Sequence, residues 1–72
     1  MTARRFEFIG GSSAKFWEIT TTGREVQVRY GRLGSNGQTQ TKSFTSDSAA
    51  TTHAEQQINS KLAKGYHELV VA

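Results

Sequence analysis

The sequence predicts an α+β domain: a small antiparallel β-sheet packed against a single α-helix. Three observations lead there. The first half of the chain carries short segments of alternating polar and apolar residues, parted by glycine. A threonine-rich segment follows a glycine-dense loop. A longer stretch then repeats apolar residues every four positions, with helix start and stop signals at its two ends. Strands followed by one helix is the α+β order.

Residues 4–9 alternate, with Phe6 and Phe8 on one side and Glu7 on the other, and Gly10-Gly11-Ser12-Ser13 ends the run. Residues 15–22 are rich in aromatic and β-branched types and predict a second strand, Trp17 and Ile19 on one face and Phe16 on the other. Gly23 suits a hairpin turn. In residues 25–30, Val26, Val28 and Tyr30 share a face opposite Gln27 and Arg29. Residues 38–44 form a polar fourth strand with one wet face. Ser46, Asp47 and Ser48 are N-cap candidates, and Asp47 suits the positive end of the helix dipole. The helix runs to about Lys64, with Ala50, Ala54, Ile58 and Leu62 as its buried stripe. Lys61 and Lys64 in the last turn and Gly65 as the C′ residue form the stop signal. Residues 66–71 are a last short strand or an apolar tail.

Seventy-two residues with no internal repeat or linker predict one domain over residues 1–72. So short a chain buries roughly 60% of its unfolded surface and has little room for an enclosed substrate cavity. The hydrophobic share is 35%, helped by four Phe, two Tyr and one Trp, which bury much area each. No cysteine is present, which removes disulfide and thiolate chemistry. No stretch approaches the ~20 apolar residues of a membrane span, and residues 1–5 do not resemble a signal peptide. A soluble cytoplasmic protein is the expectation. Nine basic residues against six acidic ones give a charge of +3, with a pI near 9.7. The excess is modest and dispersed; it favours a polyanionic partner.

Catalysis is not expected. His53 and His67 are the only histidines, and neither sits in a nucleophile elbow or a helical zinc pair. Both read as surface or partly buried structural residues, and no metal or cofactor is expected. The loop glycines Gly31, Gly34 and Gly37 recur every third residue, unlike a dinucleotide fingerprint or a phosphate-binding loop. The loop also leads into a strand, so no helix N-terminus follows it.

That loop, Tyr30-Gly31-Arg32-Leu33-Gly34-Ser35-Asn36-Gly37-Gln38, puts an aromatic, an arginine and three glycines into nine residues. With Lys15-Phe16-Trp17 before it, Lys42 and Phe44 after it, and Lys61 and Lys64-Gly65-Tyr66 at the helix end, the chain resembles a WGR domain. This module is named for a Trp-Gly-Arg motif and known from poly(ADP-ribose) polymerases and short bacterial proteins. The resemblance implies a sheet with one helix across it and a non-catalytic module that contacts nucleic acid. It gives Tyr30 a stacking role near a DNA end and Arg32 a bridging role. Tyrosine stands here where the motif has tryptophan, which offers a smaller stacking face.

From the residues alone, Tyr30 is either a core tyrosine or a stacking residue. Arg32, between two glycines, is hard to bury; it is either solvated or paired with a carboxylate, or it meets a phosphate or ribose, the favoured reading. Lys15 and Lys42 near strand ends could flank a nucleic-acid backbone, or be solvated. Gln38 could meet a base, though closing the hairpin by bonds to loop backbone is the simpler role. Trp17 reads as core, and Lys61 and Lys64 are explained by the helix dipole. The expected function is a nucleic-acid-binding module, for DNA with structure (ends, nicks) recognised over sequence. The alternative is an adaptor that meets an acidic protein through the loop or an exposed strand edge. A shared face for Arg32, Lys15, Lys42 and the helix-end lysines would favour the first.

Overall fold

The structure is a computed structural model that describes residues 2–69. Its elements are β1 (Thr2–Gly10), β2 (Ser13–Thr22), β3 (Glu25–Arg32), β4 (Gln38–Ser43), α1 (Asp47–Ala63) and β5 (His67–Leu69). The five strands form one antiparallel sheet in the order β4-β3-β2-β1-β5. The expected α+β architecture is therefore present. The helix leaves one edge strand and crosses the sheet, so that β5 returns to the opposite edge. Of the final stretch, residues 67–69 are a strand, while residues 70 and 71 lie outside the described residues.

Strand boundaries run past the periodic cores of the sequence pattern because pairing carries them to the turns. β1 pairs with β2 from Thr2↔Thr21 to Gly10↔Ser13, and β3 pairs with β2 as far as Lys15↔Arg32. Gly31 and Arg32 are thus strand, not loop.

Cross-strand register puts Phe6, Trp17, Ile19, Val26, Val28 and Tyr30 on the face that carries α1. Phe6, Trp17, Ile19 and Val26 are buried beneath Ala50, Ala54 and Ile58. The Phe6 and Trp17 rings meet at 5.6 Å in a tilted pair, a favourable aromatic geometry. Leu62, the fourth member of the expected stripe, is instead 45% exposed. A four-residue repeat advances about 400° on a helix of 3.6 residues per turn, so the stripe drifts about 40° per step. After three steps Leu62 has left the sheet, and Lys61 takes the inward place.

Ser46 caps the helix, its hydroxyl accepting a hydrogen bond from the Ala49 N–H at 3.0 Å. At the other end Gly65 adopts φ 101°. The Tyr66 N–H donates to the Lys61 carbonyl and the Gly65 N–H to the Leu62 carbonyl, both at 3.1 Å. This is a Schellman motif, and it folds Tyr66 back over the last turn.

The other face of the sheet has a core of one ring. Phe16 is only 2% exposed there, with the Arg5 and Arg29 guanidinium carbons 4.7 and 4.9 Å from its centroid. Glu18 lies between the two arginines and accepts from both, while Arg5 also pairs with Glu7. Burial raises the Glu18 pKa, but the hydrogen bonds from Arg5 and Arg29 outweigh it and hold the carboxyl below the ordinary glutamate range. At the sheet edge the Arg4 guanidinium holds Glu68 by two hydrogen bonds of 2.7 Å, and this depresses Glu68 as well.

A carboxyl with a lowered folded pKa stabilises the protein above its unfolded pKa, about 4.3, and loses that contribution as pH falls through the folded value. The melting temperature should therefore drop as pH is lowered from about 5 to 3. Glu18→Gln should be less stable at neutral pH and lose less on acidification, measured by circular dichroism melts across the series. An equally steep loss in the variant would remove Glu18 as a cause.

Candidate nucleic-acid interface

The loop after β3 is built by its glycines. The Ser35 N–H and hydroxyl donate to the Arg32 carbonyl at 3.0 and 2.7 Å, closing a turn. Gly34, third in that turn, has φ 89°, the positive value a type II turn needs. Gly37, at φ 72°, packs directly on the sheet: a Cβ there would lie 2.5 Å from the Tyr30 carbonyl oxygen and 2.7 Å from the Phe16 ring. The Leu33 N–H donates to the Ala14 carbonyl at 2.9 Å, and Arg29 donates to the Asn36 carbonyl at 3.0 Å. The loop is thus fixed on both sides, and Arg32 projects from its rigid start.

Arg32 is exposed and lies opposite Lys15 across β2 and β3, on the face that carries the helix. Both line a groove of about 570 Å³ at the end of the sheet, together with Tyr30, Lys61 and Tyr66. Lys61 is held there by its surroundings: its Nζ stands 5.5 Å from the Trp17 ring centroid and 5.3 Å from that of Tyr66. Burial lowers its pKa, and the like charges of Lys64 and Lys15 lower it further. Lys64, Lys15 and Lys61 also share a hollow floored by Phe8 and Tyr66. Lys15, Arg32, Lys61 and Lys64 form no ion pair among the described residues, whereas Arg4, Arg5 and Arg29 all do. Four cations without carboxylate partners therefore converge at one end of one face.

Tyr30 keeps to the pleat and stays half-buried against the core. Its hydroxyl donates to Gln38 Oε1 at 3.2 Å and accepts from Gln40 Nε2 at 3.4 Å. Gln38 therefore bonds a side chain across the strands, in place of the expected bonds to loop backbone. Lys42 is on the same face but further along β4, opposite Val26 and beside the Phe44 ring. It lines a second groove of about 650 Å³ between α1 and β3–β4, which shares Trp17, Tyr30 and Lys61 with the first. His53 packs on Phe44 at 4.8 Å between ring centroids, and His67 is exposed on β5. Among the described residues no group of His, Cys, Asp or Glu could hold a metal ion, and no helix is long and apolar enough to cross a membrane.

The WGR domain family matches residues 2–71. This chain is a WGR domain. The family is known as a nucleic-acid-binding module. Two Escherichia coli proteins are similar to it: the uncharacterized protein YfeS, 38% identical over 65 residues, and YehF, 41% identical over 66. Each match covers 90% of this chain but only 27% and 24% of those proteins. A crystal structure of a Bacteroides fragilis protein matches with a TM-score of 0.93 and 43% identity, covering 96% of this chain and 20% of that one. The WGR domain thus spans about a quarter of the curated relatives.

Of the residues singled out in the sequence, Lys15, Tyr30 and Arg32 meet in the first groove, while Gln38 and Lys42 follow β4. Lys61, Lys64 and Tyr66 complete the basic end. The signal for them was Lys61 and Lys64 ahead of Gly65-Tyr66: a Schellman stop turns the two lysines and the tyrosine toward one another.

Substitution of the loop glycines should separate turn strain from packing. Gly34→Ala should cost about 1–2 kcal/mol through its positive φ. Gly37→Ala adds a clash with Phe16 and Tyr30 and should cost about 3–5 kcal/mol. Urea midpoints measure both, and equal losses would contradict the close approach of Gly37 to Phe16.

Proposed function

We propose that this WGR domain binds DNA through its basic end, recognising the structure of ends and nicks over sequence. The observation that carries the reading is the convergence of Lys15, Arg32, Lys61 and Lys64, none ion-paired among the described residues, around Tyr30 and Tyr66. Phosphates supply the missing counter-charge, and affinity of this kind comes from counterion release. Lys61 gains most. Its charge is disfavoured by burial and by Lys64 and Lys15, and the opposite charge of a phosphate beside it offsets these penalties. Arg32 adds a planar fork of donors suited to phosphate oxygens. The site is a hollow at the end of a sheet, which fits an interrupted duplex better than a continuous groove-reading contact. Among the described residues the one helix, α1, is packed on the sheet and does not stand clear of it as a recognition helix would.

The adaptor reading has one observation in its favour: β4 is an edge strand with all six residues exposed. An added strand from a protein partner could pair there.

Fluorescence anisotropy with nicked and blunt duplexes tests the DNA reading. Binding should weaken about a hundredfold between roughly 50 and 200 mM salt if three to four phosphates are neutralised. Arg32→Gln should weaken it about tenfold and lower the salt slope by about 1. Arg24→Gln, at the opposite end of the sheet, removes the same charge and should change little. No binding to either duplex at low salt would sink the proposal, and equal losses in the two variants would reduce it to net charge.

A further inference from the structure

We propose that the second groove, between α1 and β3–β4, takes unpaired nucleotides of a single-stranded overhang that continues from DNA held at the basic end. This rests on the DNA-binding reading above and extends it to the adjoining surface. The groove has about 650 Å³ of space, and its side chains follow the composition of a single-strand track. Val28 and Tyr30, both half-buried, give it an apolar and aromatic floor. Gln40 and Gln57 present side-chain amides from opposite walls, one on β4 and one on α1. The Gln57 side chain makes no hydrogen bond among the described residues, and the Gln40 side chain makes only the 3.4 Å contact to Tyr30. Amides of this kind can both donate to and accept from the edge of an unpaired base.

Charge points to an anionic ligand. Lys61 stands at one end of the groove and Lys42 at the other, and no carboxylate lines it among the described residues. Lys42 is opposite Val26 and Gln38 opposite Tyr30, four residues apart on β4, which is about 14 Å of strand. A few nucleotides of one strand span that length, with phosphates at the two lysines and a base over Tyr30. Continuity with the first groove through Trp17, Tyr30 and Lys61 supplies the route. It also gives Lys42 a role that the basic end does not, since Lys42 lines only this second groove.

The test compares a blunt duplex with the same duplex carrying a three-nucleotide overhang that contains 2-aminopurine. The overhang should tighten binding about tenfold, and the fluorescence of 2-aminopurine should change on binding. Lys42→Gln and the double variant Gln40→Leu/Gln57→Leu should cancel that gain while leaving blunt-duplex affinity unchanged; their melts report that they fold. Equal binding of the two duplexes by the parent protein overturns this inference and leaves the basic-end reading intact. Binding of neither overturns both. If the variants leave overhang binding untouched but abolish binding of an acidic, leucine-containing peptide, the groove is a peptide site and the inference fails.

Discussion

The packing of Ala50, Ala54 and Ile58 onto Phe6, Trp17, Ile19 and Val26 is the contact on which the other features rest. A helix of seventeen residues is about 25 Å long and roughly 10 Å wide, while five strands at about 4.8 Å spacing span nearly 20 Å. One helix cannot cover such a sheet. The two alanines let it settle close to the centre, which seals β2 and its neighbours and leaves the flanks open. Both grooves are consequences of that shortage of cover. Tyr30 and Val28 stay half-buried because they lie where the helix ends its reach.

The opposite face meets the same shortage differently. No second helix covers it, yet Phe16 is buried, between two guanidiniums and under the backbone of Gly37. Arginine is suited to this because its planar group stacks on a ring while its edges pair with Glu18 and Glu7. Arg5 and Arg29 are thereby balanced by carboxylates, and the positive field of the protein is left to the other face. The charge of +3 is small; its effect comes from the pairing of three arginines elsewhere, which leaves the basic end uncompensated.

Most of the fold is legible in the chain because its strands obey a period of two and its helix carries explicit caps. Phe6, Trp17, Ile19 and Val26 fall on the core face by alternation alone, and Ser46 and Gly65 mark the helix ends by their conformational preferences. Leu62 is where the pattern misleads, since a repeat of four does not match a turn of 3.6. The candidate site was half legible. Arg32 stands out between glycines, and Lys15 stands out beside an aromatic pair. Lys61 is marked only by its place ahead of Gly65-Tyr66, since a lysine in the last turn of a helix is already accounted for by the dipole. Gln57 has no local mark at all.

By itself, then, the sequence determined the order of elements, the faces of the strands and the two ends of the helix, since each depends on residues close together in the chain. Only the tertiary structure decided which charges are neutralised and which are not. Arg4 meets Glu68 across 64 positions, and Lys15 meets Arg32 and Lys61 only after two hairpins and a helix have closed. Electrostatic pairing acts over a few ångströms of space regardless of separation along the chain, so no local pattern announces it.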